Sequence, residues 1–392
     1  MAGHPATDGP GQVGPDLSGA AGQRLSSAKV AKAARRIRQV GQSLWLDSIN
    51  RRMLRSGDLA GYVQDLGVTG LTSNPTILAQ AMATSTGYDA SLRALVQQGV
   101  TRPEDAVYAL ALEDLAEAAA LLRPTWEATN GQDGYVSLEV PPGLAYDMPA
   151  TVKFAHRLRA LATFPNLLVK IPGTPQGLAA TEEVVDAGIG VNVTLLFSST
   201  HYLQAAEAYL RALERRQARG ASLDVPSVAS VFVSRWDVAA DPRLPSHLQA
   251  TLGLAMAQKA CSSYRALFSS PRWQGLAAAG AHRQRLLWAS TSAKGPSLPI
   301  TYYADRLVAP GTIDTMPERV LLALGQQGGW EHVLEDDYGG AELVVAAVAK
   351  EGLDVEALGQ ELQQRGASAF TADWERLLEA IAVKMAAAQT AA

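Results

Sequence analysis

The feature that most constrains the fold of this chain is a repeated alternation of short apolar, β-rich runs with longer helical patterns, which begins near residue 44. The runs that predict strands are 44–49, 68–74, 135–140, 167–172, 190–196, 227–233, 285–291 and a weaker one at 312–315. They start at intervals that average about 38 residues, which suits βαβ units of thirty or more residues. Eight strands so spaced predict an α/β fold of the (β/α)8 barrel type, with extra helices at both ends.

Helical patterns flank this alternation. Residues 24–40 predict a basic amphipathic helix, and only helical patterns follow residue 316, among them one for which Thr371 is the expected N-cap. Within the alternation, Thr174 and Ser198 or Ser199 are expected N-caps. Residues 1–23 are rich in Gly and Pro and predict a flexible tail. We therefore expect a tail at 1–23 and one barrel domain at 24–392.

Composition excludes several classes of protein. A chain of 392 residues that is 47% hydrophobic and 18% charged can form a large core and is too apolar to be mostly disordered. A net charge of −4 removes the general attraction on which non-specific nucleic-acid and membrane-surface binders rely, and we expect neither partner. The single Cys261 and the lack of a secretory signal pattern favour the cytoplasm. Monomer and homodimer both stay open.

Ionisable residues interrupt three of the apolar runs. Asp47 follows Leu-Trp-Leu, Glu139 lies in Tyr-Val-Ser-Leu-Glu-Val, and Lys170 ends Asn-Leu-Leu-Val. Each stands in the second half of its predicted strand, and barrel enzymes carry their chemistry at the carboxyl ends of the strands. Because residues i and i+2 of a strand share a face, the polar residues also form pairs that are expected to face inward. These pairs are Ser137 with Glu139, Asn192 with Thr194, Thr72 with Asn74, and Ser230 with Phe232.

Lys170 is a candidate for Schiff-base chemistry. Burial disfavours the ammonium form of a lysine and frees its lone pair for attack on a carbonyl. Forming and hydrolysing an imine needs a proton carrier and a positioned water, which a carboxylate such as Glu139 beside a hydroxyl such as Thr194 can supply. Asp47 can accept the proton of a sugar hydroxyl as the adjacent carbon–carbon bond breaks. The six histidines form neither an HxH nor an HExxH pattern, so a zinc-dependent aldol mechanism has no ligand set and we expect no metal.

Six sequence motifs, in this order, resemble the successive strand motifs of the transaldolase family. They are WLDSI at 45–49, LTSNPTI at 71–77, VSLEV at 136–140, LVKIP at 168–172, VNVTLLF at 191–197 and SVFVSR at 230–235. The helical lead-in and the greater length resemble a bacterial subgroup that is larger than the shortest transaldolases. The resemblance implies transfer of a dihydroxyacetone unit from a phosphorylated ketose to a phosphorylated aldose, without a cofactor, in the pentose phosphate pathway.

The resemblance also implies roles for single residues. Lys170 matches the lysine that forms the Schiff base, and Asp47 matches the acid/base of carbon–carbon cleavage. Glu139 and Thr194 match the pair that holds the catalytic water. The positions that match substrate-binding residues are Asn74, Asn192 and Ser230 for the dihydroxyacetone hydroxyls, Ser137 and Phe232 for the pocket wall, and Arg235 for the phosphate.

One departure and three alternatives stay open. Where shorter family members carry a second phosphate-binding arginine after the seventh strand, this chain has Lys294, which offers a point charge and no guanidinium fork. The nearest alternative is a lyase that cleaves fructose 6-phosphate and releases free dihydroxyacetone. The others are a catalytically silent sugar-phosphate-binding barrel and a scaffold that binds an acidic partner through the basic helix at 24–40.

Overall fold

A computed structural model of the chain describes residues 20–73, 75–294, 298–326, 333–334 and 339–390. Residues 1–19 of the predicted tail lie outside these ranges, and so does Asn74. Eight parallel strands pair in chain order and close into a barrel. The strands are β1 Ser43–Leu46, β2 Val68–Thr72, β3 Val136–Glu139, β4 Leu167–Pro172, β5 Val191–Leu196, β6 Ser227–Phe232, β7 Arg285–Ala289 and β8 Ile313–Met316.

Helices precede the first strand, separate the strands and follow the last one. Those up to β5 are α1 Ala20–Val40, α2 Arg51–Ser56, α3 Asp58–Gly61, α4 Pro75–Thr84, α5 Asp89–Gln97, α6 Pro103–Ala128, α7 Met148–Leu161 and α8 Pro175–Asp186. Those that follow are α9 Ser199–Ala218, α10 Ser234–Ala240, α11 Leu252–Leu267, α12 Pro271–Ala278, α13 Glu318–Leu321, α14 Gly339–Lys350 and α15 Val355–Thr390. A π-helical turn spans Tyr62–Leu66, and short 3-10 turns occupy Thr86–Tyr88, Pro142–Leu144, Asp241–Arg243, Ser246–Leu248 and Ala304–Arg306.

The predicted (β/α)8 barrel is confirmed. The fourth strand has the predicted bounds, and each of the other strands differs from its predicted bounds by one to three residues at one end or at both. Two expected helix caps are present, because Thr174 Oγ1 accepts the Gly177 N–H and Ser198 Oγ accepts the His201 N–H. Helix α1 begins at Ala20, four residues earlier than expected. The division into a tail and one barrel domain stays a prediction.

The expected helix start at Thr371 is wrong. Helix α15 runs without interruption through this position, and Thr371 Oγ1 donates to the carbonyl of Ala367 one turn earlier. A threonine hydroxyl that donates to the i−4 carbonyl has its hydrogen-bond partner inside the helix and therefore does not cap a helix end. The result is one helix of 36 residues, long enough to pack on α4 and α5 and also to reach the ends of the central strands.

The apolar core forms two clusters. One cluster fills the space between the strands and the surrounding helices, from Ile37 on α1 to Leu377 on α15. The other cluster includes Trp45, Leu168 and Leu287 of the strands together with residues of α10, α11, α14 and α15. Polar side chains replace apolar ones at the carboxyl ends of the strands. Among the described residues, no helix is both long enough and apolar enough to cross a lipid bilayer.

Candidate active site

Lys170 and Glu139 meet at the carboxyl ends of two neighbouring strands. They are paired residues of β4 and β3, and Lys170 Nζ lies 3.2 Å from Glu139 Oε2. Both residues are only 4% exposed. Lys170 Nζ also donates to the carbonyl of Ser73, at 3.2 Å. Two strands that are regular and in register therefore place an amine and a carboxyl in contact inside the barrel.

The environment of Glu139 raises the pKa of its carboxyl above that of an exposed glutamate. Burial raises the pKa of Glu139, and the charge of Lys170 offsets part of that rise. The negative charge of Asp47 raises it further. The contact with Lys170 is an ion pair in distance without the alignment of a hydrogen bond, and neither oxygen of Glu139 has a hydrogen-bond partner among the described residues. Its oxygens are thus free to exchange a proton with a bound molecule.

Asp47 lines the pocket, one residue beyond the end of β1. The sequence placed it inside the strand, and the shorter strand leaves it partly exposed. Thr72 Oγ1 donates to Asp47 Oδ1 at 2.7 Å and lies 2.7 Å from Thr315 Oγ1. Because Thr72 gives its only hydroxyl proton to Asp47, the proton between the two threonines comes from Thr315. Burial raises the pKa of Asp47, with Lys170 as the strongest opposing influence.

A chain of hydrogen bonds crosses strands β3, β5 and β6. Ser230 Oγ donates to Asn192 Oδ1 at 2.7 Å, and Asn192 Nδ2 donates to Ser137 Oγ at 3.1 Å. Ser230 lines the pocket, whereas Asn192 and Ser137 are fully buried and do not contribute to its lining. Thr194 stands two residues beyond Asn192 and does line the pocket. Its Oγ1 is buried and has no hydrogen-bond partner among the described residues.

Arg235 and Lys294 place positive charge on one wall of the pocket. The Arg235 guanidinium lies between two aromatic rings, 4.9 Å from the centre of Phe232 and 5.6 Å from the centre of Phe370. Burial lowers the pKa of Arg235, although the nearby carboxylates favour its charged form. Lys294 is exposed at the rim, and burial of part of its side chain, followed by the charges of Arg319 and Arg235, lowers its pKa. An anionic group fits this wall.

These side chains surround one pocket of about 740 Å³, a size that holds a small metabolite. The site residues predicted from the sequence that line it are Asp47, Lys170, Thr194, Ser230, Phe232, Arg235 and Lys294. Glu139 does not itself line the pocket but contacts Lys170, which does. Asn74 lies outside the described residues.

Among the lining residues that sequence reasoning missed, three lie next to predicted site residues. Thr315 extends the hydroxyl chain to Asp47, Phe370 stacks on Arg235, and Arg319 donates to Ser292 Oγ beside Lys294. Thr315 lies on β8, and Arg319 lies on α13 just after it. The weak sequence pattern of β8 did not show which of its residues face inward. Phe370 comes from α15, and the sequence does not specify over which part of the barrel this helix lies. Among the described residues, no group of three or more His, Cys, Asp or Glu could hold a metal ion.

The chain is a closed (β/α)8 barrel in which a buried lysine and carboxylates lie beside a pocket at the carboxyl ends of the strands. This arrangement is that of the barrel enzymes as a class. The chain belongs to the transaldolase/fructose-6-phosphate aldolase family, whose model matches residues 44–381.

Curated relatives resemble the chain over most of its length. "Transaldolase" of Thermobifida fusca is 43% identical over 356 residues, which cover 88% of this chain and 96% of that protein. "Transaldolase 1" of Streptomyces avermitilis is 41% identical over 359 residues, 89% of this chain and 95% of that protein. "Transaldolase" of Thiobacillus denitrificans is 41% identical over 353 residues, 88% and 98% of the two chains.

Proposed function

We propose that the chain is a transaldolase that moves a dihydroxyacetone unit from sedoheptulose 7-phosphate to glyceraldehyde 3-phosphate, giving erythrose 4-phosphate and fructose 6-phosphate. The observation that carries this proposal is the buried amine of Lys170, which faces the pocket in contact with a carboxyl of raised pKa. The family match and the names of the relatives favour transaldolase activity over the alternatives. The chain is accordingly an enzyme, and its substrates are sugar phosphates.

The first step joins Lys170 to the ketose. The Nζ lone pair attacks the C2 carbonyl carbon as the carbon–oxygen π bond breaks, and the proton that the nitrogen loses passes to the carbonyl oxygen, which gives a neutral carbinolamine. Glu139 in its protonated form then donates to that hydroxyl, water leaves, and a protonated imine remains. Within the described part of the chain, the Thr194 hydroxyl and the Glu139 oxygens have no hydrogen-bond partner, which supports a role in holding this water. The same groups return it when the imine is hydrolysed.

The second step breaks and remakes a carbon–carbon bond. Asp47 as a carboxylate takes the proton of the C4 hydroxyl, whose oxygen forms the carbonyl of the departing aldose. The electron pair of the C3–C4 bond moves into a new C2–C3 double bond, and the imine nitrogen accepts the displaced pair. The three-carbon enamine then attacks the carbonyl of the second aldose, which recovers the proton from Asp47. Hydrogen bonds from Thr72 and Thr315 support this role by orienting Asp47.

The remaining site residues are proposed to position the substrate. Ser230 and Asn74 would bind the hydroxyls of the dihydroxyacetone unit, and Phe232 would shape the pocket around it. Asn192 and Ser137 do not line the pocket and would hold Ser230 in place through their hydrogen bonds. The guanidinium of Arg235, held between two rings, would bind the phosphate with its fork. Lys294 would add a second positive charge at the rim.

Acceptor dependence tests this function. Purified protein is given fructose 6-phosphate with and without erythrose 4-phosphate, and sedoheptulose 7-phosphate and free dihydroxyacetone are measured. We expect sedoheptulose 7-phosphate with the acceptor, little free dihydroxyacetone without it, and neither product with Lys170→Ala. Rapid release of dihydroxyacetone without acceptor would instead identify a lyase, and no reaction in either mixture would identify a silent binding barrel.

We also propose that the enzyme acts in the cytoplasm, as part of the pentose phosphate pathway. A single, buried cysteine suits a reducing compartment, which supports this location. The proposed steps use only side chains of this chain and need no cofactor. Cell fractionation tests the location, with the protein expected among the cytoplasmic proteins and absent from membranes.

A further inference from the structure

Strand β5 is bent next to Thr194. The pairing of β5 with β6 shifts between Val193 and Leu196, and Leu195 adopts a left-handed backbone with φ of 58°. A buried leucine in this conformation is strained, and such strain persists only where the surroundings enforce it. Irregular strand residues next to active sites commonly redirect a side chain. The bend therefore determines where the Thr194 hydroxyl points.

Gln363 on α15 holds this bend from above. Its side-chain amide donates to the carbonyl of Leu195 at 2.9 Å and to the carbonyl of Gly173 at 3.0 Å. Both N–H groups of the amide are thus used, and the residue is only 8% exposed. The Gly173 N–H in turn donates to the Thr194 carbonyl at 2.7 Å. One side chain of α15 therefore holds the backbone just after β4, at Gly173, and near the carboxyl end of β5, at Leu195.

Two glycines bring α15 close enough for these contacts. A Cβ atom at Gly366 would stand 2.9 Å from Leu195 Cδ2 and 3.1 Å from Arg235 Nη1, and one at Gly359 would stand 3.1 Å from the ring of Trp236. Steps of four and three residues place Gly359, Gln363 and Gly366 on one face of the helix. This face rests directly on the carboxyl ends of the central strands.

We propose that Gln363 is a positioning residue for imine formation and hydrolysis. By holding the Leu195 carbonyl it keeps β5 bent and the Thr194 hydroxyl directed at the water that enters and leaves the reacting C2. Gln363 does not line the pocket, so it acts through the backbone and not on the substrate. The inference rests on the proposed function, in which Thr194 and Glu139 handle that water.

The test compares two glutamines of the same helix. Gln363→Met removes both hydrogen bonds and keeps the side-chain volume, and Gln364→Met makes the same change at the neighbouring exposed position. Adduct formation on Lys170 is timed by rapid mixing with fructose 6-phosphate and quenching with borohydride, together with steady-state kcat and KM. We expect Gln363→Met to slow adduct formation and kcat by about 10- to 100-fold with KM near wild type, because displacement of a catalytic group costs about this much. Gln364→Met should match the wild type.

A double-mutant cycle separates positioning from a general structural effect. In a Thr194→Val background, Gln363→Met should cause little further slowing, because the two changes act on the same group. An equal slowing in both backgrounds, or a loss confined to KM, would overturn the inference.

Two further measurements keep the result decisive. Gln363→Asn retains the amide at a shorter reach and should slow adduct formation less than Gln363→Met, and its rate decides the question if Gln363→Met does not fold. A wild-type rate in Gln363→Asn would then contradict the inference. If the wild-type protein itself forms no adduct, the proposed function fails. If adduct formation is normal in both the wild type and Gln363→Met, only the role of Gln363 fails.

Discussion

Glu139 and Lys170 are paired residues of adjacent strands, and Oε2 of Glu139 lies 3.2 Å from Nζ of Lys170 inside the barrel. Burial raises the pKa of Glu139, so its carboxyl holds a proton more readily than an exposed glutamate does. The carboxyl therefore lies where it can exchange a proton with a molecule that reacts at Nζ of Lys170.

Replacement of Glu139 tests this relationship. Glu139→Gln keeps the shape of the side chain but cannot carry a proton, so we expect kcat to fall by about 10²- to 10⁴-fold, the range of general acid–base catalysis. Steady-state kinetics of sedoheptulose 7-phosphate formation measure the effect. Glu127→Gln, at a carboxylate of 59% exposure on α6, is the matched control and should leave kcat unchanged. An active Glu139→Gln enzyme would remove Glu139 from the mechanism.

Asp47 should act only after the imine has formed. We expect Asp47→Asn to form the covalent adduct with fructose 6-phosphate but to fail in breaking the C3–C4 bond, because no group then takes the hydroxyl proton. Borohydride quenching followed by mass spectrometry should show the whole six-carbon phosphate on the variant and the three-carbon unit on the wild type. A three-carbon adduct on Asp47→Asn would show that another base cleaves the bond.

Arg235 should discriminate phosphorylated from unphosphorylated ketoses. Arg235→Lys loses the planar fork and the stacking between Phe232 and Phe370, so KM for fructose 6-phosphate should rise by about 10-fold, the worth of a charge-assisted hydrogen bond. Reaction with fructose should change much less. The control is Arg365→Lys on α15, at a side chain that is 67% exposed. Equal losses for the two sugars would place the phosphate elsewhere.

Part of the pocket lining could be predicted from the sequence, because polar residues in otherwise apolar strands face the barrel interior. Lys170 and Thr194 are such residues of β4 and β5, and the barrel topology brings them to one end. The register between strands could not be predicted, so the contact between Glu139 and Lys170 needed the structure.

The contribution of α15 was beyond local sequence rules. Thr371 resembles an N-cap by residue type, and only the tertiary structure shows its hydroxyl bonded within a continuous helix. Gln363 and Phe370 are ordinary helix residues whose roles depend on where α15 crosses the barrel. Gly359 and Gly366 gave the one available signal, since glycines inside a helical pattern often mark close approach to another element.

A buried carboxyl away from the pocket should make stability depend on pH. Asp314 on β8 accepts a hydrogen bond from Thr291, and burial raises its pKa from 3.8 to about 7. Because the folded state holds this proton more tightly than the unfolded state, the stability that Asp314 contributes is complete below pH 4 and is lost as the pH rises to about 7. Asp314→Asn keeps an oxygen for Thr291 and carries no charge. We expect the variant to gain up to about 4 kcal/mol in the free energy of unfolding at pH 8 relative to the wild type, and little at pH 4.

Urea unfolding at the two pH values measures this difference. A gain of the same size at both values would show that packing, and not ionisation of Asp314, is responsible.

The most direct test of the account is to find where fructose 6-phosphate becomes attached. The protein is treated with borohydride in the presence of the sugar, digested, and its peptides are mapped by mass spectrometry. We predict a single reduced adduct on the peptide that contains Lys170, and no adduct in Lys170→Met. An unmodified Lys170 peptide in an active enzyme, or an adduct on another lysine such as Lys294, would contradict the account.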